Sequence, residues 1–119
     1  MVDHAQIDDI LGELNKNPKV ITSLVISRSG MHIAGQPSEK THSETFVTMA
    51  AILLSAAETA ISEFKGELED VYMDSDESRI IINRAGNKGL LVVLTNTKDD
   101  QDPLHTQIKE TTMNLATVL

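Results

Sequence analysis

The centre of the chain reads, from position 49 to position 58, Met49-Ala50-Ala51-Ile52-Leu53-Leu54-Ser55-Ala56-Ala57-Glu58. A capping-box pattern lies upstream of this run, because Thr41 stands three residues before Glu44. Gly66 lies downstream, at a place where a glycine commonly ends a helix. These signals predict one long middle helix over residues 42–65.

The middle helix is apolar over an unusually wide part of its circumference. Its apolar side chains cover about 200°, roughly twice the arc that a helix lying on a single sheet needs. One side can lie on a sheet, while the other needs a second element, either another helix of the same chain or a second subunit. The terminal helices have single apolar stripes that one sheet face would satisfy. We therefore predict a homodimer in which this helix packs on its copy, with burial inside one chain as the open alternative.

A helix and two strands are predicted before the middle helix. Apolar residues recur at helical spacing over residues 7–14, and Asp3 can cap that helix. Residues 20–27 are β-branched and nearly all apolar, which is typical of a strand covered on both faces. A turn at residues 27–30 leads into a short return strand over residues 31–34, so this part of the chain predicts a hairpin.

Three strands and a helix are predicted after the middle helix. Residues 69–74 place apolar side chains among acids and predict an exposed or edge strand. Two apolar strands follow over residues 79–84 and 90–95, and Asp102-Pro103 is a pattern that starts helices. The order α-β-β-α-β-β-β-α predicts a single α+β domain over residues 1–119 with a mainly antiparallel sheet.

Composition excludes several classes of function. The 18 acidic and 10 basic side chains give a formal net charge of -8, which argues against nucleic acid and against anionic membranes as partners. The chain has Cys 0, so a disulfide or a thiolate metal site is ruled out. The longest uninterrupted apolar run, residues 49–54, is far shorter than the ~20 residues that a bilayer requires. With no signal-peptide pattern at its start, the chain is expected to be cytoplasmic.

The order of elements resembles that of the roadblock family, the roadblock-type dynein light chains and their prokaryotic relatives. Two runs carry the resemblance, together with chain length: residues 24–31, Leu-Val-Ile-Ser-Arg-Ser-Gly-Met, and above all the run at residues 49–58 quoted above. The resemblance implies a five-stranded antiparallel sheet with the middle helix on one face and the terminal helices on the other. It also implies a homodimer through the middle helix and the third strand, with one sheet continuing across both subunits.

The functional expectation comes from that resemblance. Family members are non-enzymatic dimers that bind and regulate small Ras-like GTPases, in some cases stimulating GTP hydrolysis, or that serve as subunits of motor and lysosomal scaffolds. We therefore expect a homodimeric scaffold or regulator of a small GTPase. The residues that we assign to the dimer interface lie on the middle helix and on the edge strand: Met49, Ala50, Leu53, Leu54, Ala57, Ile61, Val71 and Met73.

No catalytic, cofactor or metal site is predicted. The four histidines, at positions 4, 32, 42 and 105, lie in four different segments without a metal-binding pattern. No G-x-S-x-G elbow is present, and Gly86-Asn87-Lys88-Gly89 is a hairpin turn rather than a phosphate-binding loop. Arg28 stands in a turn where it can reach a partner's nucleotide, but a surface arginine without a specific role is the favoured interpretation. The pattern therefore predicts a protein that is not an enzyme.

Two other functions stay open at this stage. Small sensory modules share the outline of this α+β fold and hold a ligand between sheet and helix, although the low aromatic content, 3%, counts against such a pocket. The chain can also be a subunit of a motor or trafficking scaffold that does not regulate a GTPase.

Overall fold

A computed structural model describes residues 3–35, 43–96 and 102–119. Its elements, in chain order, are α1 (His4–Asn15), β1 (Val20–Ser27), β2 (His32–Gly35), α2 (Ser43–Ile61), β3 (Asp70–Asp74), β4 (Arg79–Ala85), β5 (Gly89–Thr95) and α3 (Asp102–Ala116). The predicted order and the α+β class are confirmed. That residues 1–119 form a single domain stays a prediction.

Local chemistry explains where the helices begin and end. The Asp3 carboxylate accepts a hydrogen bond from the Gln6 N–H at 3.1 Å and caps α1. The Thr41 capping box of the middle helix lies outside the described residues. α2 ends at Ile61, earlier than the predicted end at residue 65. The Ser62 hydroxyl donates to the Thr59 carbonyl at 2.6 Å, and such side-chain bonds compete with the helical pattern.

The five strands form one antiparallel sheet in the order β2-β1-β5-β4-β3. β3 lies at an edge, so the edge prediction for this segment is confirmed. β5 lies at the centre, and its side chains alternate between the two faces. Leu91 and Val93 point to one core, while Leu90 and Val92 point to the other.

Two hydrophobic cores cover the two faces of the sheet. Buried residues of α1 and α3, including Leu11, Leu14 and Ile108, pack on one face. α2 packs on the opposite face through Val47 and Leu54 among others. This arrangement, with the middle helix on one face of the sheet and the terminal helices on the other, is the one that the resemblance implies.

β1 is covered on both faces for most of its length, as its apolar sequence predicts. Val25 belongs to the core under α1 and α3, whereas Leu24 and Ile26 belong to the core under α2. The exception is Ile21, which is 50% exposed. It lies between Val20 and Thr22, where the pairing register with β5 shifts and turns its side chain out of the regular alternation.

The backbone at Gly35 predicts a sharp sensitivity to substitution. Gly35 has φ +91, and a Cβ there would lie 2.2 Å from the Ser23 carbonyl oxygen. We expect Gly35→Ala to lower the free energy of unfolding by at least about 2 kcal/mol in urea denaturation. The control is Gly12→Ala, because nothing lies within 4 Å of a Cβ at this helical position. It should stabilise the chain by about 0.5–1 kcal/mol. Equal effects of the two substitutions would contradict this description of the β1–β2 pair.

Candidate functional site

α2 presents two apolar sides, and the structure buries only one of them. Val47, Ala50, Ala51 and Leu54 are buried on the sheet. On the outer side, Met49 is 50% exposed, Ile52 53% and Leu53 37%. Together with the exposed alanines of the same helix side they form the outer stripe, defined as Met49, Ile52, Leu53, Ala56 and Ala60. A contiguous apolar helix face that is open to solvent marks an interaction surface.

The structure divides the predicted interface residues of α2 between different environments. Met49 and Leu53 lie on the outer stripe, and Ala57 and Ile61 are partly buried. Ala50 and Leu54 are each 1% exposed, because their side chains already pack against the sheet of their own chain. The interface assignment did not include Ile52, Ala56 and Ala60, although the sequence places all three in the apolar arc of the helix. Helical spacing alone could have found the stripe only once the side facing the sheet was known.

The two predicted interface residues of β3, Val71 and Met73, are partly buried and pack against the core beneath α2. The opposite face of β3 is polar. There, the Arg79 guanidinium donates to both carboxylate oxygens of Asp74 at 2.7 and 3.0 Å and lies 4.6 Å from the centre of the Tyr72 ring. The hydrogen bonds to Asp74 raise the pKa of Arg79 above its usual value, so this arginine stays charged.

The acids at the start of β3 have basic partners on α3. His105 Nδ1 lies 3.3 Å from the Asp70 carboxylate, and Lys109 Nζ lies 3.2 Å from that of Glu69. The ligand atoms of Glu69, Asp70 and His105 all lie within 4.8 Å of one another, so these residues could together hold a metal ion. The sequence analysis did not foresee this cluster, because His105 is far from the two acids along the chain. The Glu69 carboxylate of this cluster is already paired with the Lys109 ammonium.

A partly buried ion-pair network links α2 to the ends of β1 and β4. The Arg28 guanidinium donates to one oxygen of the Glu58 carboxylate, and Arg84 lies 3.9 Å from the other oxygen. Because Arg28 follows β1 and Arg84 belongs to β4, a single glutamate links α2 to both. We call this set, Glu58, Arg28 and Arg84, the Glu58 clip.

Beside the Glu58 clip lies a groove of about 380 Å³ between the β1–β2 turn and α2. We call it the Arg28 groove. Its lining contains serine and threonine residues, apolar residues and one arginine: Arg28, Ser29, Thr48, Ala51, Ile52, Ser55, Ala56 and Thr59. A second groove, of about 390 Å³, lies between α1 and α3 and is bordered by the acids Asp9, Glu13 and Glu110. The two grooves therefore differ in charge and lie on opposite faces of the sheet.

α2 also meets the length and composition criteria for a membrane span over residues Glu44–Ile61, with a mean hydropathy of 1.4. One such helix is weak evidence, because the core helix of a soluble protein meets the same criteria. In this chain the inner side of the helix packs on the sheet. The high hydropathy is explained by two apolar sides on one helix.

Comparisons with known proteins agree with this architecture. The sequence profile of the Roadblock/LC7 domain family matches residues 6–95. The uncharacterized protein MJ0310 of Methanocaldococcus jannaschii is 34% identical over 93 residues, which are 77% of this chain and 81% of that protein.

Two solved structures show the same fold at low identity. The gliding protein MglB from Thermus thermophilus has a TM-score of 0.84 at 16% identity, over 97% of this chain and 89% of that chain. An MglB structure with a tetrameric arrangement has a TM-score of 0.86 at 16% identity, over 97% of this chain and 88% of that chain.

The ion pairs of the Glu58 clip predict that replacing Glu58 lowers the free energy of unfolding more than replacing an exposed glutamate near the same end of the helix. Glu58→Gln should lower the free energy of unfolding by about 1–2 kcal/mol, because it removes the charge that pairs two arginines in a partly buried site. Glu63→Gln is the control, since Glu63 is exposed, and it should change stability by less than about 0.5 kcal/mol. Urea denaturation of both variants measures the difference. A Glu58→Gln variant as stable as the control would show that the clip does not hold α2 in place.

Proposed function

The chain belongs to the Roadblock/LC7 domain family, and from this premise we propose that it is a non-enzymatic, homodimeric module that binds a small Ras-like GTPase and modulates its nucleotide cycle. The observation that carries the proposal is the outer stripe of α2, an apolar helix face that its own chain leaves open to solvent. We further propose that the protein acts in the cytoplasm as a single domain.

The outer stripe supports self-association for a steric reason. Ala56 and Ala60 lie on the stripe between the larger side chains, and small residues let two helix backbones approach closely. A two-fold axis would then bring Met49 and Leu53 of one protomer against the same stripe of its partner. Apolar area removed from water in this way stabilises association by roughly 25 cal/mol per Å² before the costs of binding are subtracted.

The position of β3 at an edge of the sheet also supports the proposed dimer. No strand among the described residues lies beyond β3 in the sheet, so its outward backbone groups can pair with β3 of a second protomer. Acids normally discourage such pairing, but Asp70, Asp74 and Glu69 each have a basic partner within their own chain. This internal pairing reduces the repulsion between two β3 edges.

The proposal of a GTPase partner rests on family membership and on a sequence without a phosphate-binding loop motif. It has no G-x-x-x-x-G-K-[ST] phosphate-binding loop, so a nucleotide would be held by the partner. A dimer would present two copies of α2 side by side, a surface that a partner protein can contact. The same module would also be compatible with assembly beyond a dimer, as in the tetrameric MglB arrangement.

The ligand-sensing alternative receives no support from the packing. Such a module holds its ligand between sheet and helix, where this structure places Ala50 and Leu54 directly over Leu24, Ile82 and Val92. These side chains form a hydrophobic core in the space that the ligand would occupy.

Substitutions at two neighbouring leucines separate the interface from the core. Leu53→Glu should leave the far-UV circular dichroism unchanged but reduce the molar mass from twice 13.0 kDa to 13.0 kDa in light scattering across a dilution series. Leu54→Glu should instead unfold the protomer, because Leu54 is 1% exposed and its replacement buries an unpaired charge.

Met113→Glu is the matched control for Leu53→Glu. Met113 is 70% exposed on α3, on the opposite face of the sheet, so the same gain of charge there should leave the mass at that of a dimer. A folded Leu53→Glu variant that remains dimeric, or a wild-type chain that is monomeric at all concentrations, would overturn the proposed interface.

The GTPase proposal is tested with small Ras-like GTPases from the same organism, loaded with GDP or with a non-hydrolysable GTP analogue. We expect the immobilised wild-type chain to retain one of them in a nucleotide-dependent way and to change its rate of single-turnover GTP hydrolysis or nucleotide release. Leu53→Glu should weaken this binding, because it removes the dimer surface. Absence of binding in both nucleotide states would contradict the proposal.

A further inference from the structure

The Arg28 groove exists because the β1–β2 turn lies directly against α2. Gly30, in this turn, has φ +90, and a Cβ there would lie 3.2 Å from Thr48 Cα. This close approach forms one wall of the groove, with α2 as the other wall. The groove opens beside Ile52 and Ala56, so it is continuous with the outer stripe.

The guanidinium in the groove is only partly satisfied. Arg28 donates to Glu58 through Nη2, while Nη1 is shielded from solvent and has no hydrogen-bond acceptor among the residues that the structure describes. A buried donor without an acceptor costs free energy, and more so when it is charged. The Arg28 side chain as a whole is 34% exposed, so the guanidinium lies at the boundary between the interior and the groove.

Arg28 is the only charged residue among the described residues that line the groove, although the chain has a formal net charge of -8. The Arg28 N–H donates to the Lys88 carbonyl at 3.3 Å, so the β1–β2 and β4–β5 turns lie side by side. Arg84 lies at the same end of the sheet, 3.9 Å from Glu58 and 3.7 Å from the exposed Glu67. Both oxygens of Glu58 are therefore engaged by arginines.

We propose that the Arg28 groove receives the carboxylate of an aspartate or glutamate side chain that the GTPase partner presents, a step that rests on the proposed function. Arg28 Nη1 supplies the charged donor, and Ser55 and Thr48 line the same groove. Ile52 and Ala56 border the opening but also belong to the outer stripe, so the fitting epitope is defined by its acidic group alone. Charge-assisted hydrogen bonds of this kind give specificity as well as affinity.

In the proposed dimer, Ile52 and Ala56 belong to both the outer stripe and the groove, whereas Ser55 and Thr59 line the groove outside the stripe. At 100° per residue, Ser55 and Thr59 lie on the flank of α2 opposite to Ala57 and Ile61. Ser55 and Thr59 lie on the side of the β1–β2 turn, and β3 is at the other end of the strand order, so a protomer that pairs with β3 would approach from the Ala57 side. Each protomer of the dimer therefore offers one such groove.

The groove is tested directly with a small probe, without any GTPase. The uniformly ¹⁵N-labelled wild-type chain is titrated with N-acetyl-glutamate N′-methylamide and, as a matched control, with the corresponding glutamine compound. We expect the glutamate probe alone to produce saturable, fast-exchange shifts of the Arg28 Nε–H and of the Ser29 and Ser55 amides. Equal shifts with both probes, or no saturable shift with the glutamate probe, would overturn the proposal.

Substitutions of Arg28 then test whether the chemical-shift changes depend on its guanidinium. Arg28→Gln should abolish the shifts, and Arg28→Lys should retain them in weakened form. Because Arg28→Gln also loosens the Glu58 clip, Ser55→Glu serves as a second variant that places a carboxylate in the groove from α2 itself. It should keep the wild-type melting temperature and block the glutamate probe. Saturable binding of inorganic phosphate without binding of the glutamate probe would overturn the assignment to an acidic side chain.

A measurement of GTPase binding distinguishes an error in the proposed docking contact from an error in the proposed function. For a GTPase that binds the wild-type chain, Ser55→Glu should weaken binding at least about tenfold while the dimer is retained. Undiminished binding to Ser55→Glu would overturn the proposed docking contact but leave the proposed function intact. If no GTPase binds the wild-type chain, the proposed function and the docking contact both fail, whereas the probe titration still decides whether the groove accepts a carboxylate.

Discussion

The packing of α2 on the sheet is the contact on which the other features depend. α2 has apolar residues around most of its circumference, and the sheet can cover only one side of it. Val47 and Leu54 enter the core above Leu24 and Val92, and this choice of side leaves Met49 and Leu53 facing solvent. The same contact therefore builds a core and creates the exposed apolar surface that a partner would cover.

The rotation of α2 about its axis is held by polar as well as apolar contacts. Alanines on the inner side let the helix lie close to the sheet, and such close contact leaves little freedom for the larger neighbours. Glu58 then ties the helix to Arg28 and Arg84 at the ends of two strands. A rotation that buried Met49 would pull Glu58 away from both arginines, so the ion pairs and the core favour one orientation.

Charge is distributed unevenly over the described residues. The β3 edge and the hairpin turns near Arg28 therefore suit different contacts. Around β3, acids such as Asp70 and Asp74 are matched by basic groups of the same chain, which suits an edge that is to pair with a copy of itself. At the two adjacent hairpin turns, Arg28 pairs with Glu58 but keeps one guanidinium nitrogen without an acceptor among the described residues, which suits contact with an acidic group of another protein. One small domain can thus combine self-association with binding of a second protein, and Ile52 and Ala56 are shared between the two surfaces.

The sequence by itself determined the order and type of the elements, the cap at Asp3, the edge position of β3 and the two apolar sides of α2. These properties depend on neighbours along the chain or on a simple period, and both can be read without coordinates. The tertiary structure alone decided which side of α2 faces the sheet, and so moved Leu54 to the core and Ile52 to the surface. It also decided the meeting of Arg28 with Glu58, because periodicity records the spacing of side chains around a helix but not the direction from which a distant strand packs against it.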